Sequence, residues 1–316
     1  MRWICLILIT LTAGARGEEF VVATYNIENF REHFQAKTLA TTRPSLDEGL
    51  LRRLQKEDDE DNWEVASVIT DPAFNPDVLM IQEGCDQQQL EAFNKRWLKD
   101  AYATAIVFPS NSGRGQTLGM LLKAGFKVVD RKDQYYNEAD TVANPRGDKL
   151  FARGPVFVLI ETPGGYKFWV GTNHQKSKSG NGVEVTKWRN REATRTNQII
   201  NEIAKSGVSD VIFLGDLNDE LHYQEFEQEA GGDTIALLVG AGESKLFLAT
   251  EKLAGTGANS FGGYWEGRYR SLIDHIVATP SMKDQLGEPR VVTEGLAKVA
   301  SDHYAVMVRV TSDPAN

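Results

Sequence analysis

The chain is expected to adopt an α/β fold with a two-sheet core and helices outside. Three features carry that expectation. Short apolar runs rich in β-branched and aromatic residues recur along the length, helical spacing is confined to a few longer segments, and the two do not alternate as a doubly wound parallel sheet requires. The runs expected as strands cover residues 20–25, 78–81, 104–108, 118–122, 156–160, 168–171, 211–214, 273–278 and 304–310. Helical spacing fits 63–70, 87–98 and 184–204; in the last, Val185, Trp188, Thr196, Ile199, Ile200 and Ile203 supply one apolar stripe. Segment 33–61 is charged and weakly periodic, with Arg52, Arg53 and Lys56 ahead of acidic residues 57–61, and reads as a solvated insertion or helix. Trp63, Trp97, Trp169, Trp188 and Trp265 are scattered and read mostly as core.

At the N-terminus, Met1 and Arg2 lead into an apolar run over 3–11, followed by small residues at Ala13, Gly14, Ala15 and Gly17. This is the layout of a secretory signal peptide, cleavable after Ala15 or Gly17. The run is far shorter than the roughly 20 residues a membrane-spanning helix needs, and no later segment reaches that length without charges. Residues 1–17 are therefore expected to direct export, and 18–316 to form one domain, since no linker or repeat divides them. With 41% hydrophobic and 25% charged residues, that domain can bury a substantial core. Loss of Cys5 with the signal leaves Cys85 alone, so no intramolecular disulfide is expected. The net charge of −9, about −11 once Arg2 and Arg16 are removed, argues against broad adhesion to nucleic acid. It leaves open an enzyme that acts on nucleic acid, because cations bound among carboxylates reverse the charge locally.

The residues able to do chemistry fall at the ends of the expected strands, where a rigid scaffold can aim them into one cleft. The first run ends at Asn26, with Glu28 just beyond, offering oxygens suited to phosphate recognition or a hard cation. The second ends in Gln82-Glu83-Gly84, a carboxylate costly to bury without a cation or strong hydrogen bonds. After Gly171 the chain reads Thr172-Asn173-His174-Gln175-Lys176-Ser177-Lys178-Ser179. Here His174 suits charge developing on a reacting phosphate, and Lys176 and Lys178 suit flanking phosphates. The most specific piece is Gly215-Asp216-Leu217-Asn218-Asp219 after an apolar run. Its glycine permits a close turn, and extended spacing puts Asp216 and Asn218 on one side, the first for water and the second for a phosphate oxygen. Asp219 is expected to face away. Last come Asp274 on a strand and Asp302-His303 before another; an Asp paired to a His fixes the tautomer of the ring and raises its basicity. His275 is expected on the opposite face from Asp274, and both His275 and His222 read as structural or surface residues.

These pieces, in this order, resemble the endonuclease/exonuclease/phosphatase superfamily, whose members include deoxyribonuclease-I-like nucleases, apurinic endonucleases, neutral sphingomyelinases and inositol phosphate phosphatases. The motifs are Tyr25-Asn26-Ile27-Glu28-Asn29, Ile81-Gln82-Glu83, Asn173 to Lys178, Gly215-Asp216-Leu217-Asn218 and Ser301-Asp302-His303. The resemblance implies a four-layer sandwich, two mixed β-sheets face to face with helices outside, and a site at one edge. It further implies Mg²⁺ or Mn²⁺ held by Asn26 and Glu83 with Asp302 in support, Asp216 orienting or activating water, and Asn218 binding phosphate. His303 is held by Asp274, and His174 lies near the transferring phosphate. Arg153, at the entry to a strand, resembles the phosphate-contacting arginine of deoxyribonuclease-like members.

The loop from Asn173 to Lys178 resembles that of exported bacterial nucleases, so a metal-dependent nuclease gripping its substrate with Arg153, Lys176 and Lys178 is the first reading. Arg189, Arg191 and Arg195 read either as further backbone contacts or as the polar side of an amphipathic helix. The second reading keeps the chemistry on a phospholipid head group or small phosphate ester, with residues 260–265 as a candidate apolar lip. A noncatalytic binding protein is the third; chemically competent residues at every key position argue against it.

Overall fold

A computed structural model of the chain describes residues 17–144, 147–180, 182–222, 226–262 and 270–312, with Ala143 and Asn144 described by backbone alone. The segment expected to direct export, apart from Gly17, and residues 263–265 of the candidate lip lie outside the described residues.

Among the described residues fourteen strands are present, grouped as two six-stranded sheets and a hairpin. The first sheet holds β1 (Glu19–Asn26), β2 (Val78–Gly84), β3 (Tyr102–Phe108) and β4 (Thr117–Lys123), together with β13 (Arg290–Val291) and β14 (Val306–Thr311). The second holds β5 (Lys127–Lys132), β8 (Val156–Glu161), β9 (Lys167–His174), β10 (Val211–Asp216), β11 (Phe247–Leu248) and β12 (Asp274–Ala278). A hairpin of β6 (Ala139–Asn144) and β7 (Gly147–Lys149) stands apart. The strand orders are β13-β14-β1-β2-β4-β3 and β11-β12-β10-β9-β8-β5. Each sheet thus has a central parallel pair, β1 with β2 and β10 with β9, flanked on both sides by antiparallel neighbours.

All nine expected strand runs lie in or across these elements. The additional strands are short or polar edge segments such as Lys127-Val128-Val129-Asp130-Arg131-Lys132, whose exposure hides the alternation that marks a half-buried strand. In the centre, β10 is buried along its whole length because it lies between two apolar layers. One core fills the space between the sheets and reaches the first sheet's outer helices. A second lies between the other face of the second sheet and α4 (Gly182–Ala204) with α6 (Thr234–Val239). Every member of the stripe expected on α4 is buried.

Segment 33–61 is helical. A 3₁₀ turn at Phe30–Phe34 runs into α1 (Gln35–Thr42), and α2 (Glu48–Ile69) begins where Asp47 caps the backbone N–H of Leu50. Only the C-terminal third of α2 carries most of its buried apolar residues, which is why the sequence pattern marks 63–70 alone. Trp63 is 52% exposed, against the core reading, while Trp169 and Trp188 are buried. The remaining helices are α3 (Gln87–Arg96), whose Asp86 and Gln89 form a reciprocal capping box, and the short α5 (Glu227–Ala230). No described helix is long and apolar enough to cross a membrane.

Strand direction fixes where the chemistry gathers. The parallel pairs deliver their C-terminal ends, Asn26, Glu83, His174 and Asp216, to one edge of the sandwich. The antiparallel partners bring their starts to the same edge: Asp274 lies opposite Asp216 in register, and Asp302 and His303 precede β14 beside β1. Beneath this edge the Thr24 hydroxyl donates to Gln82 Oε1 (2.9 Å) and Gln82 Nε2 donates to the Thr172 hydroxyl (2.8 Å), joining the two sheets by a buried polar bridge.

Candidate active site

Asp216 is the centre of the site. Its Oδ2 accepts from Asn26 Nδ2 (3.0 Å) and lies 3.1 Å from His174 Nε2 and 3.7 Å from His303 Nε2. Its Oδ1 accepts the backbone N–H of Asn218 (2.9 Å). Burial alone would raise the Asp216 carboxyl, but the hydrogen bond from His174 and the charges of His303 and Arg153 outweigh it and hold the group well below the ordinary carboxylate range.

His303 stands on the opposite side, with Nδ1 donating to Asp274 Oδ2 at 2.8 Å and the Phe261 ring tilted against its imidazole at 4.9 Å between centroids. The Ser301 hydroxyl fixes the entry to this ring: it accepts the N–H of His303 (3.1 Å) and donates to the Asn26 carbonyl (2.7 Å). Burial draws the imidazole down, yet Asp274, Asp216 and Asp302 together push it up to about 10, making it an imidazolium at neutral pH. His174 is the reverse case. Burial, then Arg153, lower it past the pull of Asp216 and Glu83, so it is the neutral histidine of the pair. Asp274 Oδ1, His174 Nδ1 and Asn26 Oδ1 are buried without a hydrogen-bond partner.

The third flank is oxygen-rich. Glu83 sits at a break in the β2–β4 register with a left-handed φ of 55°, a conformation costly for a non-glycine residue and enriched at functional sites. Its Oε2 accepts from the Asn29 N–H (3.0 Å) and from Gln116 Nε2. Asp302 is pushed up to about 7, first by burial and then by Glu28, Glu83 and Asp216, against the opposing pull of His303. The Glu83 and Asp302 carboxyl groups and the orphaned side-chain oxygen Oδ1 of Asn26 are oxygen donors of the kind a hard divalent cation takes. Ligand atoms of Asp216, Asp274 and His303 also lie within 4.8 Å of one another. The Nδ1 of His303 is committed to Asp274, however, so this trio is better described as a hydrogen-bonded pair facing a carboxylate. Asn26, Glu83 and Asp302 instead offer oxygen atoms alone, the donor type Mg²⁺ and Mn²⁺ prefer.

Several residues sit differently from the sequence expectation. Gly215 lies within β10 rather than in a turn, and a Cβ there would meet the Asn173 carbonyl oxygen at 2.3 Å; the glycine serves the close approach of β9. Asn218 does not continue an extended chain beside Asp216. It has a φ of 52°, and its Nδ2 donates to the Gln175 carbonyl (3.1 Å). Arg153 is 6% exposed, and its guanidinium donates to the carbonyls of His174 (3.2 Å) and Gln175 (3.1 Å) and to Gln116 Oε1 (2.9 Å). Its charge reaches Glu83 and Asp216 from behind the site. Lys176 is buried, and its Nζ closes the loop on the carbonyls of Ser177 (2.8 Å) and Ser179 (2.9 Å). Lys178 lies 3.4 Å from Asp219 and 3.8 Å from Glu220. Arg189 pairs with buried Asp219 (2.7 Å), Arg191 with Asp140 (2.7 Å) and Arg195 with Glu138 (2.8 Å) and Glu202 (2.7 Å), so α4 uses its arginines for internal ties rather than as a substrate face. Asp219 and His275 are structural: Asp219 also accepts from Thr234 (2.7 Å), and His275 bridges Thr250 (3.0 Å) and the Asp219 carbonyl (3.0 Å). His222 is exposed.

Gln116 is the site residue that sequence reasoning missed. It holds Glu83, Asn29 and Arg153 at once, donating to Asn29 Oδ1 at 2.9 Å. Its only sequence signal is its place just before a strand, Thr117–Lys123, that runs antiparallel to β2 and so starts beside Glu83.

Residues 23–303 match the Endonuclease/Exonuclease/phosphatase family, nearly the full span from the first strand to His303. The chain belongs to that family. No curated protein matches it. Among solved structures it is similar to an endonuclease/exonuclease/phosphatase family protein from Bacteroides thetaiotaomicron, with 18% identity, 94% of this chain and 96% of that one covered, and a TM-score of 0.63. A mannosyl-6-phosphatase from Bacteroides thetaiotaomicron gives 18% identity, coverage of 92% and 98%, and a TM-score of 0.61. Truncated TDP2 from Caenorhabditis elegans gives 17%, 93%, 98% and 0.59. At these identities the likeness is one of fold, and the α/β sandwich of two mixed sheets is shared.

Proposed function

We propose that this family member is an exported, divalent-metal-dependent phosphodiesterase that cleaves nucleic acid. The observation that carries the catalytic part is Asp216, held by Asn26 and His174 with the Asp274–His303 pair facing it. A carboxylate kept this far below its ordinary range is a poor proton acceptor, so Asp216 orients the attacking water rather than taking its proton. The His303 imidazolium, backed by Asp274, faces the negative charge that develops on phosphorus-bound oxygens. Neutral His174 adds a second donor from β9. A bound Mg²⁺ or Mn²⁺ would neutralise the oxygen-rich flank and draw electron density from a phosphoryl oxygen. Asn26, Glu83 and Asp302 are the residues that would hold it.

The nuclease reading is supported by the motif from Asn173 to Lys178. The reading on small phosphate esters has its own support in the likeness to the mannosyl-6-phosphatase. Export is supported by the sequence of residues 1–17. Supercoiled plasmid incubated with residues 18–316 and Mg²⁺ or Mn²⁺ tests the enzyme reading. Nicking lost in EDTA and in His303→Ala is the expected result; a folded, metal-binding protein that leaves plasmid intact but hydrolyses a sugar phosphate selects the alternative. N-terminal sequencing of secreted protein tests export, with a first residue of Arg16 or Glu18 expected.

A further inference from the structure

Beside Glu83 the surface opens into a pocket of about 480 Å³ that none of the catalytic assignments uses. Its inner wall is Asn29 and Gln116, the two residues that hold the Glu83 carboxylate. Its outer wall is α1, presenting Thr38 and Leu39, and its rim carries Arg31 and Arg114.

This arrangement is built. The first turn of α1 is tied down by the buried Asp58 carboxylate, which accepts the N–H groups of Gln35 (3.1 Å) and Ala36 (2.8 Å), while Asn62 Nδ2 donates to the His33 carbonyl (2.7 Å). The Arg31 guanidinium donates to the Arg114 carbonyl (3.3 Å) across Gly115. Gly115 has a φ of 73°, and a Cβ there would meet Arg31 Nη1 at 2.3 Å, so the glycine makes the space in which that guanidinium lies. Both arginines are exposed, and among the described residues neither lies within ion-pairing distance of a carboxylate, unlike Arg189, Arg191 and Arg195. The pocket's acid is Glu32, so its lining carries a net positive charge in a chain of net charge −9.

We propose that this pocket is the subsite for the phosphate flanking the scissile one in a polynucleotide, with Arg31 and Arg114 gripping the phosphate and Leu39 and Thr38 contacting its nucleoside. The inference rests on the nuclease reading and deepens it. A monophosphorylated sugar brings one phosphate, which the catalytic edge consumes, and leaves two guanidinium groups with no anion to bind. A polynucleotide brings a second phosphate one nucleotide away, and planar guanidinium forks suit it.

The test compares wild type, Arg31→Gln, Arg114→Gln and the double variant on an oligodeoxynucleotide and on bis(p-nitrophenyl) phosphate, which has no flanking phosphate. The ratio of kcat/KM between the two substrates is expected to fall about tenfold per arginine. Binding of a fluorescein-labelled oligodeoxynucleotide, measured by anisotropy in a His303→Ala background, is expected to weaken alongside, with the salt slope reduced by about one per arginine lost. An unchanged ratio and slope in variants of an enzyme that cleaves the oligonucleotide overturns the subsite and leaves the nuclease reading standing. Wild type that turns over only the small ester overturns the nuclease reading itself, and the subsite with it.

Discussion

Replacing Asp274 with asparagine separates the charge of the Asp274–His303 pair from its shape. The carboxylate lies 2.8 Å from Nδ1, where two unit charges at an effective dielectric of about 20 attract by about 6 kcal/mol. Asparagine has two orientations there. With its oxygen toward Nδ1, its NH₂ occupies the position of Oδ1, which is buried without a partner, at a cost of about 1–3 kcal/mol. With its NH₂ toward Nδ1, the ring proton must move to Nε2 and the imidazolium is lost. Either way the part of the attraction that grows as charge develops on phosphate disappears, and turnover is expected to fall on the order of 10²- to 10⁴-fold. The assay is kcat on bis(p-nitrophenyl) phosphate at saturating Mg²⁺, with circular dichroism to confirm the fold. The double variant with His303→Ala should be little slower than His303→Ala alone, since residues acting as a unit are not additive. A single variant within tenfold of wild type, or effects that multiply, would refute the pairing as a functional unit.

Glu192 gives a pH-dependent expectation. It is fully buried, accepts the N–H groups of Ala152 (2.8 Å) and Lys176 (2.8 Å), and is raised by burial from 4.5 to about 7. The folded state therefore holds a proton that the unfolded chain releases between about pH 4.5 and 7, so this group's contribution falls by about 3 kcal/mol as pH rises through that window. Urea melts should find Glu192→Gln closer to wild type in stability at pH 8 than at pH 5, and a pH-independent gap would contradict the assignment. Arg189→Met removes the closer of the two cations facing the buried Asp219 carboxylate, leaving Lys178 and Thr234, and should cost about 1–3 kcal/mol in chemical denaturation, whereas no measurable loss would mean that those partners suffice. Glu83→Gln and Asn26→Ala should each weaken Mn²⁺ binding, followed by calorimetry, by about tenfold or more; an unaltered isotherm would move the cation elsewhere. Lys176→Ala should lower Tm while leaving substrate KM within about threefold, because its ammonium closes the loop; a large KM effect would return it to the substrate.

The catalytic edge was legible because its residues stand where strands stop. An apolar run such as 211–214 can end in a buried carboxylate only if donors meet it there, and the strand directions supply them from Asn26 and His174. What failed to show in the sequence depends on contacts between segments distant along the chain. Gln116 becomes a site residue only when β4 pairs with β2, and Arg153 is turned inward by the carbonyls of another strand's loop. Lys176 and Lys178 looked like anion ligands because spacing cannot reveal that their own loop's carbonyls and the Asp219 and Glu220 carboxylates lie within reach. Segment 33–61 read as a solvated insertion or helix because its helices bury little, and the sequence could not show that buried Asp58 pins the first turn of α1.

Charge explains how these parts act together. Glu28, Glu83, Asp216, Asp274 and Asp302 bring five carboxyl groups to the edge, and Arg153 and the His303 imidazolium answer them from behind and from one side. His303 is matched by Asp274, and Arg153 by Glu83 and Asp216, while negative charge crowds Asp302, which Glu28, Glu83 and Asp216 all reach, beside the orphaned side-chain oxygen of Asn26. A cation bound on that flank would neutralise it for an approaching phosphate and would lessen the repulsion from Glu28, Glu83 and Asp216 that adds to burial in pushing Asp302 up. The arginines at the rim of the neighbouring pocket are placed where a second phosphate can be held without crossing that negative zone. The fold therefore separates two charge environments by position: the strand ends gather the carboxylates and the two histidines, and the neighbouring pocket presents Arg31 and Arg114.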